Sequence, residues 1–76
     1  MLKAFPRALP ATRKTPRLGG GLRHRWKDNH AGMIFEWDYQ HGRVEVYNHF
    51  GHHLGEFDPN TGVQTKPPSN RRRVVP

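Results

Sequence analysis

The stretch 33-MIFEWDYQHGRVEVYN-48 decides how this 76-residue chain is read. Met33–Gln40 and Arg43–Asn48 both alternate apolar with polar residues, and His41-Gly42 between them offers a two-residue turn, the pattern of a β-hairpin. In that register Gln40 faces Arg43, Asp38 faces Glu45 and Glu36 faces Tyr47. Successive strand side chains point to opposite faces. One face therefore carries Phe35, Trp37, Tyr39, Val44 and Val46, and reads as core. The other carries Glu36, Asp38, Gln40, Arg43, Glu45 and Tyr47, and reads as polar. On it Asp38 and Glu45 oppose each other beside His41. Like charges directly across strands destabilise a sheet. Cations such as Arg43 would turn the pair into an exposed salt network. Two carboxylates beside a histidine are equally an arrangement found at functional sites. The residues alone leave both readings open.

Outward from the hairpin, short runs rich in aromatic and β-branched residues alternate with Gly, Pro, Asn and Asp. RHRW (Arg23–Trp26) precedes the loop Lys27–Gly32. HHLGEF (His52–Phe57), the turn DPNTG (Asp58–Gly62), VQTK (Val63–Lys66) and RRRVV (Arg71–Val75) follow. These are strand and hairpin signals, and no segment holds a helical period. Residues 22–76 are expected to form a mainly β domain, an antiparallel meander without internal repeat. Residues 1–21, with three prolines, Gly19-Gly20-Gly21 and five cations, read as a basic Pro/Gly-rich arm or linker outside the core. The glycines lack the spacing of a phosphate cradle and read as a hinge.

Composition narrows the function classes. Thirteen Lys and Arg against six Asp and Glu give a formal charge of +7 and a pI near 10.9, a field that attracts polyanions. The absence of cysteine excludes disulfides and thiolate zinc sites. No apolar run approaches the roughly 20 residues of a membrane-spanning helix, so membrane insertion is not expected. Met1–Pro10 is too short and too interrupted by proline for a signal peptide. The histidines at 24, 30, 41, 49, 52 and 53 match no strong zinc spacing. Neither a metal nor a small-molecule cofactor is expected.

The motif E-W-D-x-Q-H-G-x-x-E, followed by H-L-G-x-F-D-P-x-T-G, is long and unusual. With KTPRLGGGLRHRW before it, it resembles the cytotoxic ribonuclease domain of ribosome-inactivating colicins and cloacins, also found at the end of contact-dependent inhibition toxins. The resemblance runs from about Lys14 to the C-terminus. It implies a strongly twisted antiparallel sheet and metal-independent cleavage of small-subunit (16S) ribosomal RNA in the decoding A site. It carries the catalytic roles to Asp38, His41, Glu45 and, within the arginine triplet, Arg72. Where the family has a further acidic residue two positions after the histidine, this chain has Arg43. The resemblance also implies the ribosome as target, an acidic immunity protein as partner, and action in the cytoplasm of a target bacterium, either as a compact stand-alone toxin or, if the chain is an excised domain, as part of a larger secreted or delivered toxin.

On that reading Glu45 takes the proton of a 2′-hydroxyl and His41 protonates the leaving 5′-oxygen. Asp38 orients the imidazole, and Arg72 stabilises charge on the phosphate. Histidine suits the acid role because its ordinary pKa of about 6.5 lies near neutrality. Arg23, Arg25, Lys27, Arg43, Lys66, Arg71 and Arg73 are expected on RNA phosphates, with Tyr47 among the RNA contacts and Tyr39, Trp26 and Phe50 as further stacking candidates. The main alternative is a non-catalytic basic module that binds RNA or the ribosome.

Overall fold

The computed structural model describes residues 2–11 and 24–76. Arg23 and the three consecutive glycines lie outside them. The described residues form one antiparallel sheet: β1 (Leu9–Pro10), β2 (Arg25–Lys27), β3 (Ile34–Asp38), β4 (Arg43–Tyr47), β5 (His53–Phe57) and β6 (Gln64–Lys66). Each strand pairs with the next in chain order, so the expected meander is observed. The RRRVV run is not a strand; Arg73 makes a single bridge to His52.

The central hairpin is correctly placed, but its register is corrected. Asp38 pairs with Arg43, Glu36 with Glu45 and Ile34 with Tyr47, so Asp38 does not face Glu45. The loop is four residues, 39–42, and Asp38 closes it. Its Oδ1 accepts the amides of Gln40 (2.9 Å) and His41 (3.2 Å), and its carbonyl accepts the Gly42 N–H at 2.9 Å. These bonds are unavailable to a two-residue turn. The same construction recurs from Asp28 to Gly32 and from Asp58 to Gly62, with Oδ1 on two amides and the carbonyl on the glycine N–H. The closing glycines have φ of 74°, 63° and 77°, where a Cβ is penalised. Sliding a strand by two residues returns every side chain to its face, so the face assignment survives the correction. Tyr39 is the exception, leaving the core face for the loop.

Both faces of the sheet are covered, by opposite ends of the chain. On the apolar face Phe35, Val44 and Val46 pack with Leu2 and Ala8, flanked by Phe5, Trp26, Trp37 and Phe57. The expectation that residues 1–21 hold no core element is therefore corrected for residues 2–11. Two successive turns, Phe5 N–H to Leu2 carbonyl and Ala8 N–H to Phe5 carbonyl (both 3.0 Å), bring three apolar side chains at a spacing of three onto one side. Phe5 then lies 5.0 Å from the Phe35 ring and edge-on to Phe57 at 6.1 Å. On the other face Glu36, Glu45, Tyr47 and His53 are all buried, and the C-terminal segment holds to this side. Ser69 N–H donates to His53 Nδ1 (2.9 Å), Val74 N–H to the Gly51 carbonyl (3.0 Å), and Arg25 to the Val75 carbonyl (2.7 Å).

This packing separates two nearby leucines. Leu2→Ala empties a buried site and is expected to cost about 2–5 kcal/mol, lowering Tm by roughly 10 °C or more at this domain size. Leu9→Ala, at a side chain 55% exposed, is expected to stay within about 0.5 kcal/mol. Thermal melts of both variants check the pair; equal effects would contradict the N-terminal packing.

Candidate active site

One cross-strand row organises the buried polar face. Arg25 (β2), Glu36 (β3), Glu45 (β4), Glu56 (β5) and Lys66 (β6) are successive register partners. The three glutamates are 1%, 2% and 3% exposed. Burying a carboxylate without a partner is strongly unfavourable, and each is met differently. Glu36 takes Arg25 Nη2 at 3.0 Å with both groups buried. Glu45 Oε1 takes His53 Nε2 at 2.7 Å, and its Oε2 lies 3.7 Å from Arg72 Nη1. Because His53 Nδ1 accepts the Ser69 amide, its ring proton sits on Nε2 and is donated to Glu45. Glu56 Oε2 takes the Thr65 hydroxyl at 2.6 Å, whereas Oε1 has no hydrogen bond.

His53 reaches this face through a bulge. Glu45 pairs with Glu56 and Val46 with Gly55, but Tyr47 pairs with His53, so Leu54 is the extra residue. Without it, the three-residue separation of His53 and Glu56 would put them on opposite faces. Gly55, at φ 142°, permits the kink; a Cβ there would run into the Gln64 side chain and the Lys66 carbonyl.

His41 stands at the edge of the row. Its Nδ1 is 2.8 Å from Asp38 Oδ2 and 3.8 Å from Glu56 Oε1. The turn thus uses Asp38 twice, Oδ1 for the loop amides and Oδ2 for the ring. Partial burial works to raise the Asp38 carboxyl, but hydrogen bonds from the His41 ring and from the amides of Gln40 and His41 outweigh it. The pKa lies below the usual value. Burial pushes the Tyr47 phenol up, against the influence of the Arg72 guanidinium. Burial disfavours the charged Arg72 guanidinium, yet Tyr47 and Glu45 prevail and raise its pKa.

Asp38, His41, Glu45 and Arg72 thus share one face, joined through Glu56 and Tyr47. Within the triplet, Arg72 is the member beside Glu45; Arg73 donates to His52 Nε2 at 2.9 Å, and Arg71 is exposed. Two expected RNA contacts are corrected. Arg25 is 5% exposed and spent on Glu36 and the Val75 carbonyl, and Tyr47 is 2% exposed. Lys27 and Arg43 are half-buried, Arg43 reaching the His41 carbonyl at 3.3 Å, and Lys66 is exposed, 3.9 Å from Glu56. Arg23 lies outside the described residues. Sequence reasoning missed Glu56 and the role of His53, because the bulge inverts the strand parity that would have flagged them. Asp38, His41 and Glu56 offer donor atoms within 4.8 Å of one another, a set that could hold a metal ion.

Two predictions separate charge from scaffold. A carboxyl with depressed pKa contributes stability that is complete above the ordinary range near 3.9 and is lost as pH falls through the lower folded value. The Tm deficit of Asp38→Asn is therefore expected at pH 6 and should vanish towards pH 2. A deficit independent of pH would contradict the assignment. Arg25→Ala removes the buried cation that meets Glu36 and is expected to cost about 3–5 kcal/mol, read as a collapse of Tm.

The family described as Cytotoxic matches residues 1–75. Among curated proteins of Escherichia coli, colicin E3 is 48% identical over 67 residues, covering 86% of this chain and 12% of that protein. Cloacin is 49% identical and colicin-E6 48% identical, each over 63 residues, 80% of this chain and 11% of theirs. The chain thus spans about an eighth or less of the length of these relatives. With the match covering residues 1–75 and the fold a β meander, the chain belongs to the Cytotoxic domain family represented in colicins and cloacin.

Proposed function

We propose that this domain is a toxin endoribonuclease that cuts 16S ribosomal RNA in the decoding A site and so blocks translation. The observation that carries the reading is the Asp38–His41 pair on the same face as the Glu45–Arg72 contact. Two carboxylates, an imidazole and a guanidinium are the groups that in-line attack by a 2′-hydroxyl needs, and they need no metal. The ribosomal target is what the resemblance to ribosome-inactivating colicins implies.

Glu45 accepts the 2′-hydroxyl proton as the 2′-oxygen bonds to phosphorus and the bond to the 5′-oxygen breaks. His41 donates its Nε2 proton to that leaving oxygen. The products are a 2′,3′-cyclic phosphate and a 5′-hydroxyl. Asp38 on Nδ1 directs Nε2 outward, and the His41 side chain is 46% exposed. At 3.7 Å the Arg72–Glu45 contact is loose. The guanidinium exchanges it for a phosphate, for which its fork is suited, and the exchange uncovers the base. Lys27, Arg43, Lys66, Arg71 and Arg73 hold the RNA backbone through contacts that weaken with salt. The charge of +7 also suits an acidic immunity protein that silences the domain in its producer. The place of action is the cytoplasm of a target bacterium, reached as part of a larger toxin.

The test is incubation with intact bacterial ribosomes in EDTA, with RNA ends mapped by primer extension. A single cut in the small-subunit decoding region is expected. His41→Ala and Glu45→Gln are each expected to lower its rate by at least about 10²-fold. Intact RNA with folded, inhibitor-free protein would sink the enzyme reading and favour a non-catalytic ribosome-binding module. A 3′-hydroxyl product would refute the transesterification step.

A further inference from the structure

Glu56 is costly to the fold as it stands. It lies directly across from Glu45, which already faces Glu36, so the middle of the sheet carries three adjacent buried carboxylates. Like charges so placed oppose folding. Glu36 has a buried arginine and Glu45 a buried histidine, but Glu56 is satisfied on one oxygen only. Its Oε1 is buried without a hydrogen bond, 3.8 Å from His41 Nδ1 and 3.9 Å from the exposed Lys66 ammonium. The Thr65 hydroxyl, at 2.6 Å from Oε2, fixes the carboxylate with its unused oxygen on the histidine side. A buried acceptor left open calls for an explanation, and the neighbour it lacks a bond to is an exposed, loop-borne imidazole.

We propose that Glu56 is a positioning residue for His41: a second station for the Nδ1 proton, taken up when the ring moves inward from Asp38 as RNA docks. The proposal rests on the ribonuclease reading for its role and on geometry alone for the contact. With Asp38 on one side and Glu56 on the other, Nδ1 keeps its proton throughout the ring's travel. Nε2 therefore remains the nitrogen that faces substrate. No bond is made or broken at Glu56; it accepts a hydrogen bond, and its oxygen becomes satisfied only in the working arrangement.

Two arms test this separately. The first needs no substrate: side-chain 15N spectra of the free protein above the histidine titration report which ring nitrogen of His41 carries hydrogen. Wild type and Asp38→Asn are both expected to show the proton on Nδ1, since Glu56 receives the ring when Asp38 loses its charge. The Asp38→Asn/Glu56→Gln double variant is expected to revert to the Nε2–H form favoured by an unconstrained histidine. Reversion in Asp38→Asn alone would overturn the contact.

The second arm measures Glu56→Gln on ribosomes. It is expected to lower kcat about 10- to 100-fold with KM within about twofold, while Tm holds or rises because one of three adjacent charges is gone. Thr65→Val, which only loosens the carboxylate, is expected to lower kcat to a smaller degree. A Glu56→Gln variant with reduced Tm and unchanged kcat would show the carboxylate to be structural and overturn the role. Ribosomes left intact by wild type would refute the ribonuclease reading itself, and the spectra would still decide the contact.

Discussion

Three glutamates side by side under one face of a small sheet must each find compensation, and much of the structure serves that need. An effective penalty of about several kcal/mol per buried ion is comparable with the whole stability of a small domain. Arg25 is drawn into the interior to meet Glu36. The β5 bulge turns His53 inward to meet Glu45, and the Ser69 amide selects the tautomer that can donate. Arg72 comes over the same carboxylate from the C-terminal segment. That segment is fastened in turn by Arg25 through the Val75 carbonyl. Compensating the row and closing the domain are one set of contacts.

Among the described residues no second sheet or helix packs on the strands, and the two chain ends each cover one face. The N-terminal turns cover the apolar face with Leu2, Phe5 and Ala8, and the C-terminal segment holds to the carboxylate face. The division of labour follows from chemistry. An apolar cover suits the face made by Phe35, Val44 and Val46. A cover presenting amides, a serine and arginines suits a face of glutamates. The groups proposed for catalysis therefore lie at a seam between sheet and tail.

What the sequence made legible was its periodicity. Alternation in residues 33–48 identified the hairpin and its faces, and because the alternation has period two, a register error of two residues left those faces intact. The error came from Asp38, whose hydrogen bonds to the loop amides stabilise a longer turn than His41-Gly42 suggests. The N-terminal residues were misjudged because two single turns carrying Leu2, Phe5 and Ala8 are too short to set up a helical period, and prolines with basic residues hide them. Glu56 and His53 stayed illegible because a bulge is invisible to simple alternation. Arg72 was reached by resemblance to a family; its place beside Glu45 became a physical statement only with coordinates.

The turns at Asp28, Asp38 and Asp58 share one frame, in which the residue three places after the aspartate is Ala31, His41 or Thr61. In all three the turn takes that residue's backbone amide, while the side chains differ, Thr61 Oγ1 accepting the Val63 N–H and the His41 ring bonding Asp38 Oδ2. The imidazole at His41 is therefore an addition to a turn that two neighbouring loops close without one. In evolutionary terms the position is loosely coupled: the turn holds through the amide, and the ring adds only its bond to Asp38. A lineage can therefore exchange that ring in a single substitution while keeping the turn.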